Sequence, residues 1–157
     1  MSEITKLYEN AGIKKVKDYY CPNCETKLED WFGKHKEYIC PNERCDYALC
    51  DDEEDFQECL EHLSYREKYP PFTAEKQRLL FQLLARIESA DYFQFFFYEI
   101  KQEWVFRLNM LTELSCECAY FYENRNKKFD ECLASLINTI WQDLTSEQKQ
   151  QVKGILE

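Results

Sequence analysis

Apolar residues recur at helical spacing in four stretches of the chain, which predicts an amphipathic helix in each. The helices cover residues 3 to 11, 73 to 89, 128 to 143 and a last segment that begins at residue 145 or 146. The apolar positions of the last three are Leu79, Leu80, Leu83, Leu84 and Ile87; Phe129, Leu133, Leu136, Ile137, Ile140 and Trp141; and Val152, Ile155 and Leu156. Ser2, Thr73 and either Thr145 or Ser146 are the predicted N-caps.

The stretch from residue 91 to about 122 is rich in aromatic side chains on more than one stripe. Such density predicts a central helix, or two, buried on several sides. Because the chain has only three glycines, a sheet is not expected here. Residues 72 to 157 are therefore predicted to form an α-helical bundle of about four helices.

Residues 19 to 50 have a different pattern. Residues 26 to 32 and 36 to 40 predict a β-hairpin that turns at Gly33, with a third short strand at residues 46 to 49. The predicted fold class is α+β and mostly α, a small β-hairpin zinc ribbon followed by an α-helical bundle. The predicted domains are an N-terminal helix and connector (1–18), the ribbon (19–50), an acidic linker or helix (51–71) and the bundle (72–157).

Four cysteines in two pairs suggest a metal site in the ribbon. They are Cys21, Cys24, Cys40 and Cys45. A Cys-x-x-Cys turn brings two thiolates to one tetrahedral ion, and a second pair about fifteen residues later completes four ligands. The sequence therefore predicts one structural Zn²⁺. A redox pair or four unrelated thiols is the alternative, and Cys50 could replace Cys45 because both continue the same spacing.

The residues around these cysteines resemble the four-cysteine zinc ribbons at the C-terminus of type IA DNA topoisomerases. The resemblance covers only residues 19 to 50 and rests on Tyr20-Cys21-Pro22-x-Cys24, Phe32-Gly33-Lys34 and Tyr38-x-Cys40-x4-Cys45-Asp46-Tyr47. It implies a β-hairpin ribbon, one zinc on the four cysteines, and contact with single-stranded DNA. Such ribbons usually carry glycine after the first pair and are basic, whereas this chain has Glu25 and an acidic ribbon.

Aromatic and basic residues lie close together near the predicted hairpin tip. Single-strand binders stack bases on aromatic rings and contact phosphates with cations. The candidate nucleic-acid contacts are Trp31, Phe32, Lys34, Lys36, Tyr38 and Arg44. The alternative is that these aromatic side chains pack the ribbon against the rest of the protein.

The overall charge argues against a large nucleic-acid footprint. The chain has a formal net charge of -10, and residues 51 to 63 supply seven acidic groups without a Lys or Arg. Nucleic-acid binders usually show the opposite sign. The acidic run is either a solvated linker or a docking strip for a basic partner.

Cysteine use and the N-terminus bear on location. Nine cysteines without an apolar signal region at the N-terminus predict reduced thiols in an intracellular, cytoplasmic protein. A nucleoid or nuclear location applies if the protein associates with nucleic acid. No apolar run is long enough to span a bilayer, so no membrane partner is expected.

Catalytic chemistry has few candidates. Glu99 and Lys101, with Asp91 upstream, have the Glu-x-Lys form of metal-dependent nucleases, but on a helix the two side chains would diverge. Cys50, Cys59 and His62 lack a fourth partner for a second metal site. Four thiolates leave zinc no open position for catalysis.

The sequence therefore predicts a non-enzymatic zinc protein that acts as a protein–protein adaptor or regulator of a larger partner, with a nucleic-acid-handling assembly as one candidate for that partner. The alternative is a module that binds single-stranded DNA or RNA through the ribbon. A metal-dependent nuclease is a distant third. The pattern does not identify the partner or the oligomeric state.

Overall fold

The computed structural model describes residues 1–32, 36–50, 54–87, 90–112 and 115–157. Side chains at positions 32, 36, 90–92, 109–112 and 115–121 are outside this description. The chain divides into two compact units. The ribbon unit is Lys15–Lys68, and the helix–sheet unit combines Met1–Lys14 with Tyr69–Glu157.

The described residues form five α-helices and eight strands in three small sheets. The helices are α1 (Glu3–Asn10), α2 (Phe56–His62), α3 (Ala74–Ala85), α4 (Phe129–Ile140) and α5 (Ser146–Leu156). The strands are β1 (Val16–Tyr19), β2 (Glu29–Phe32), β3 (Lys36–Ile39), β4 (Ala48–Cys50), β5 (Tyr65–Lys68), β6 (Ala90–Tyr98), β7 (Glu103–Thr112) and β8 (Ser115–Asn126). The fold class is α+β, but the predicted mostly α chain with a helical bundle is wrong.

The error lies in the aromatic stretch, which forms an antiparallel three-stranded sheet in the order β6-β7-β8. Phe93, Phe95 and Phe97 alternate along β6 and lie opposite Leu108, Phe106 and Trp104 of β7. Aromatic side chains favour strands because they pack well on a pleated surface. The density that suggested a helix buried on several sides comes from aromatic residues on both faces of β6. The residues that follow the aromatic stretch, Asn124 to Asn126, are also extended and form the end of β8.

The core of the helix–sheet unit lies between this sheet and the helices. Phe106 and Leu108 of β7 are fully buried with Leu133 and Leu136 of α4 and Leu80 of α3. The predicted N-caps are confirmed, since the side chains of Ser2, Thr73 and Thr145 accept hydrogen bonds from the first turns of α1, α3 and α5. The apolar stripes predicted from the sequence thus form the faces of α3, α4 and α5 that pack in the core.

The opposite face of the sheet is covered by its own side chains. Val105 lies on this face and is fully buried. The guanidinium of Arg107 lies over the ring of Phe96, and that of Arg125 lies over the ring of Tyr98. Both arginines also form ion pairs with Glu123 on β8. These contacts cover the described part of the outer face of the sheet.

Neutralising Glu123 is expected to weaken the helix–sheet unit in a pH-dependent way. Hydrogen bonds from Arg107 and Arg125 lower the pKa of Glu123. A carboxyl with a lowered folded pKa stabilises the fold above its unfolded pKa, and this contribution is lost as the pH falls through the folded value. Glu123→Gln should cost about 1 kcal/mol at neutral pH. Urea unfolding at neutral and acidic pH measures this, and the difference from wild type should shrink in acid.

Glu99→Gln is the control for this change, because Glu99 is exposed in the turn between β6 and β7. Its free energy of unfolding should stay within error of the wild type at both pH values. A loss of stability in Glu123→Gln that is equally large in acid would show that the ion pairs are not its source.

In the ribbon unit, the predicted antiparallel pairing is confirmed by β2 and β3, in which Glu29 lies opposite Ile39. The predicted turn at Gly33 lies outside the described residues. The third strand is β4, which pairs with β3. Residues 51 to 71 contain more than a linker. The strand β5 in that segment pairs with β1 before the ribbon, with Val16 opposite Lys68. In the described part of the chain, no helix has the length and apolar character needed to cross a membrane.

Candidate metal centre

The four predicted cysteine ligands converge in the ribbon unit. Cys21 and Cys24 lie on the connection between β1 and β2, and Cys40 and Cys45 on the connection between β3 and β4. Their four Sγ atoms all lie within 4.8 Å of one another. The two connections thus form one four-sulfur cluster that can hold a metal ion.

The distances between the sulfurs fit coordination to an ion. Sγ of Cys21 lies 3.6 Å from Sγ of Cys45, and Sγ of Cys24 lies 3.4 Å from Sγ of Cys40. Tetrahedral zinc with bonds of about 2.3 Å sets neighbouring sulfurs about 3.8 Å apart. A disulfide would bring them to about 2.05 Å. All four cysteines are free thiols. The geometry is therefore that of four separate ligands and not of two disulfides.

Each sulfur also accepts a backbone hydrogen bond from the residue two positions further on. Asn23 N–H donates to Cys21 at 3.4 Å. The backbone of Thr26 bonds to Cys24, that of Asn42 to Cys40 and that of Tyr47 to Cys45. Donors of this kind stabilise a thiolate, the form that binds metal. The same turn geometry is thus repeated at all four positions.

The local environment affects the four thiols differently when no ion is bound. Hydrogen bonds with the side chain and backbone of Thr26 lower the pKa of Cys24 to about 6. Burial raises the pKa of Cys40 to about 12. Four thiolates so close together would repel one another, so a bound cation is needed to keep all four deprotonated. Thr26 is a site residue that the sequence analysis missed, although its position two residues after Cys24 is visible in the sequence.

The first cysteine pair is closed by a residue in a left-handed conformation. Glu25 has φ 59°, and its N–H donates to the carbonyl of Cys21 at 2.9 Å. The N–H of Cys21 in turn donates to the carbonyl of Thr26 at 2.8 Å. Glycine adopts positive φ without the steric cost that a Cβ imposes. This explains in physical terms why similar ribbons favour glycine here.

Replacing Glu25 by glycine is accordingly expected to stabilise the ribbon unit by about 1 kcal/mol, through removal of the left-handed strain. The midpoint of thermal unfolding of the metal-loaded protein measures this effect. Glu43→Gly is the matched control, because it removes the same charge in the other cysteine loop, where no positive φ occurs. A rise in both variants would point to the charge and not to the backbone.

A small apolar core surrounds the cluster. Cys21, Cys40, Leu28, Leu49 and Leu63 are buried in it. Tyr38 is also buried, 4 % exposed, between the edge-to-face ring of Tyr19 and the stacked ring of Phe56. Phe56 begins α2, so this helix packs beside the metal cluster.

The other candidate nucleic-acid contacts are placed differently. Trp31 on β2 is 60 % exposed, and Arg44 is exposed in the second cysteine loop. Phe32 and Lys36 are paired residues at the ends of β2 and β3, but their side chains are not described. Lys34 lies outside the described residues. Of the candidate aromatic contacts with described side chains, Trp31 is at the surface and Tyr38 is in the core.

The remaining cysteines with described side chains lie apart from the cluster. Cys50, the alternative to Cys45, contacts Oε1 of Glu37 at 3.3 Å on the neighbouring strand. Cys59 contacts Oδ2 of Asp55 at 3.3 Å. Among the described residues, the only group of three or more potential ligands is the four-cysteine cluster. Cys45 is therefore the fourth member, and no second site forms around Cys59 and His62.

The proposed nuclease residues do not form a site in the described structure. Glu99 and Lys101 lie exposed in the tight turn between β6 and β7. Asp91 is near the other end of β6, about 26 Å away along an extended strand. The backbone positions of these residues are therefore not brought together.

The fold and the cluster together define a small two-unit protein with a four-cysteine metal centre consistent with a zinc ribbon. In comparisons with known proteins, no family model, no curated protein and no solved structure matched the chain. The resemblance to topoisomerase ribbons is therefore supported only by the four cysteines and the hairpins that carry them.

Proposed function

We propose that the protein is a non-catalytic zinc-ribbon protein that acts as an adaptor or regulator through contacts with another protein. The observation that carries this proposal is the closed cluster of four sulfurs. Zinc held by four thiolates has no open position for water or substrate, so the ion would stabilise the fold. Cys21, Cys24, Cys40 and Cys45 would hold it, with their backbone donors keeping the sulfurs oriented.

The charge of the ribbon unit supports a protein partner over a nucleic acid. Residues 15–68 carry eight Lys and Arg against fifteen Asp and Glu, a formal net charge of −7. Glu54, Asp55, Glu58 and Glu61 are all exposed on and just before α2. Because such a surface repels phosphates and attracts cations, a partner with a basic surface fits it best.

Charge reversal on α2 tests this proposal. The metal-loaded protein is titrated with a fluorescent oligo-arginine peptide as a defined basic probe. The triple change Glu54→Lys, Glu58→Lys and Glu61→Lys should weaken binding at least tenfold. The control reverses Glu9, Glu99 and Glu147, which are exposed on the helix–sheet unit and give the same total charge. Equal weakening in both variants would mean that the probe senses only net charge, and α2 would lose its proposed role.

Binding to single-stranded nucleic acid is the second candidate, and pairs of aromatic and basic side chains on the ribbon unit favour it. Lys17 lies over the ring of Tyr65 at 4.2 Å, and Arg66 over the ring of Tyr20 at 5.4 Å. Tyr65 and Trp31 are 47 % and 60 % exposed. Exposed rings next to cations can stack bases and contact phosphates.

Titration with single-stranded DNA and RNA at two salt concentrations separates the two candidates. The adaptor proposal predicts no binding even at low salt, where electrostatic attraction is strongest. Micromolar binding that weakens with salt and is lost in Trp31→Ala or Tyr65→Ala would instead show that the ribbon unit binds single-stranded nucleic acid. Ile100→Ala, at an exposed residue of the other unit, is the control.

A further inference from the structure

The strand β6 forms an edge of the aromatic sheet. Its neighbour on one side is β7, and among the described residues no strand pairs with its other side. The strand has nine residues, so this edge is about 30 Å long. Exposed edges are usually protected by lysine, proline or a bulge. Residues 92–98 contain no charged residue and no proline, and the one irregularity lies between Ala90 and Tyr92.

Two phenylalanines are exposed along this edge. Phe95 and Phe97 are 44 % and 40 % exposed. Beside them is a shallow groove of about 360 Å³ lined by Ala74, Gln77, Arg78, Phe81, Phe95 and Phe129. The rings of Phe81 and Phe95 meet edge to face at 4.6 Å in this groove. The edge therefore offers both unpaired backbone and an aromatic recess next to it.

We propose that two copies of this chain pair through β6, antiparallel and about a twofold axis, to form one six-stranded sheet. Such an interface uses the same surface on both copies and closes as a dimer. Each copy would place Phe95 and Phe97 against the edge and groove of the other. Ladder hydrogen bonds and cross-strand aromatic pairs would supply the binding energy.

The distribution of charge argues for a second copy as the occupant. The chain has a net charge of −10, so two copies repel one another over most of their surface. Residues 92–98 are an uncharged stretch where two identical strands can meet without like charges directly opposite. A partner with a basic surface would find no acidic side chain within residues 92–98. An equally uncharged aromatic strand fits, and this chain supplies one.

The size of the contact is consistent with a reversible dimer. Two nine-residue edges with their flanking rings bury on the order of 1,000 Å², near the lower bound for a specific interface. Salt should not weaken this dimer, because added ions screen the repulsion between two acidic chains and leave the aromatic contacts unchanged.

Analytical ultracentrifugation of the metal-loaded protein tests the proposal. The expected result at about 100 µM protein is a dimer, twice the 19.1 kDa chain, that persists at high salt. Phe97→Lys should give a monomer with an unchanged circular dichroism spectrum. Ile100→Lys adds the same charge at an 83 % exposed position just beyond the strand and should remain dimeric.

Hydrogen–deuterium exchange of the unaltered protein gives a second test that does not depend on a variant folding. The amides of β6 that point away from β7 should become at least tenfold better protected as the concentration rises through the dimerisation range, while those of α5 should not change. A wild-type monomer at that concentration, open-ended oligomers, a dimer that persists in Phe97→Lys, or protection independent of concentration would each overturn the proposal.

Discussion

Replacing Cys21 by serine is expected to remove the metal ion and unfold the ribbon unit, the largest effect that a single substitution should have on this protein. Cys21 is buried in the cluster, and its Sγ lies 3.6 Å from that of Cys45. The ribbon unit has a small core, with Leu28, Leu49 and Leu63 among its buried residues, so a bound ion would supply much of its folding free energy. For structural zinc in small domains this amounts to roughly 10–16 kcal/mol.

Three measurements follow the Cys21→Ser change. Zinc content by elemental analysis should fall from one ion per chain to none. Helical circular dichroism should stay mostly intact, because four of the five α-helices in the described parts of the chain belong to the helix–sheet unit and only α2 to the ribbon unit. Hydrogen–deuterium exchange should show that the backbone amides of β2 and β3, which pair in the folded ribbon unit, lose their protection.

Cys59→Ser is the matched control, because Cys59 is a partly buried thiol of the same unit that lies outside the four-sulfur cluster. It should keep its zinc and its fold. Retention of a full equivalent of metal in Cys21→Ser would refute the ligand assignment. Collapse of the helical signal in that variant would show that the two units do not fold separately.

The second large effect is expected in the helix–sheet unit, where Phe106→Ala should lower the free energy of unfolding by about 3–5 kcal/mol. Phe106 is fully buried. Its ring contacts those of Phe81, Phe93, Phe95 and Phe129 at centroid distances of 5.4 to 6.3 Å. Truncation leaves a cavity between the sheet and two helices that their backbones cannot close.

Urea unfolding followed by helical circular dichroism measures this loss. Ile100→Ala is the control, because Ile100 is 83 % exposed in the turn between β6 and β7 and should change stability by less than about 0.5 kcal/mol. Zinc content should be unaffected in both variants. A cost below about 1 kcal/mol for Phe106→Ala would contradict its position at the centre of the core.

The metal site could be predicted from the sequence because its signal is local. Two cysteine pairs and a hairpin between them specify both the ligands and the loops that carry them. The spacing left Cys45 and Cys50 both possible, and only the resemblance to the ribbon pattern favoured Cys45. In the fold, Cys50 lies in β4 opposite Glu37, which points its thiol to a different partner.

The aromatic sheet could not be predicted in the same way. Phe95, Phe96 and Phe97 are consecutive, so β6 lacks the apolar–polar alternation that identifies a half-buried strand. The turn that follows has Gln102 at φ 54°, a position where glycine or asparagine is the usual signal. A low glycine count therefore argued against a hairpin that the chain forms without glycine.

Whether an aromatic residue of the ribbon is buried or exposed also could not be predicted from the sequence. Trp31 and Tyr38 are both aromatic residues of the same hairpin and lie on adjacent strands. Tyr38 is buried against Phe56, which is eighteen residues further along the chain, while Trp31 remains exposed. That difference depends on where α2 packs. The acidic residues before α2 do not indicate that this helix packs on Tyr38.

The central claim, a closed structural site of four thiolates, is tested most directly by replacing the native ion with Co²⁺ and recording the visible absorption spectrum. The predicted result is one Co²⁺ per chain with the strong ligand-field bands of a tetrahedral site and charge-transfer bands from four thiolates, displaced by an equivalent of Zn²⁺. A spectrum of an octahedral or oxygen-ligated ion, or no stoichiometric binding to the reduced protein, would contradict it.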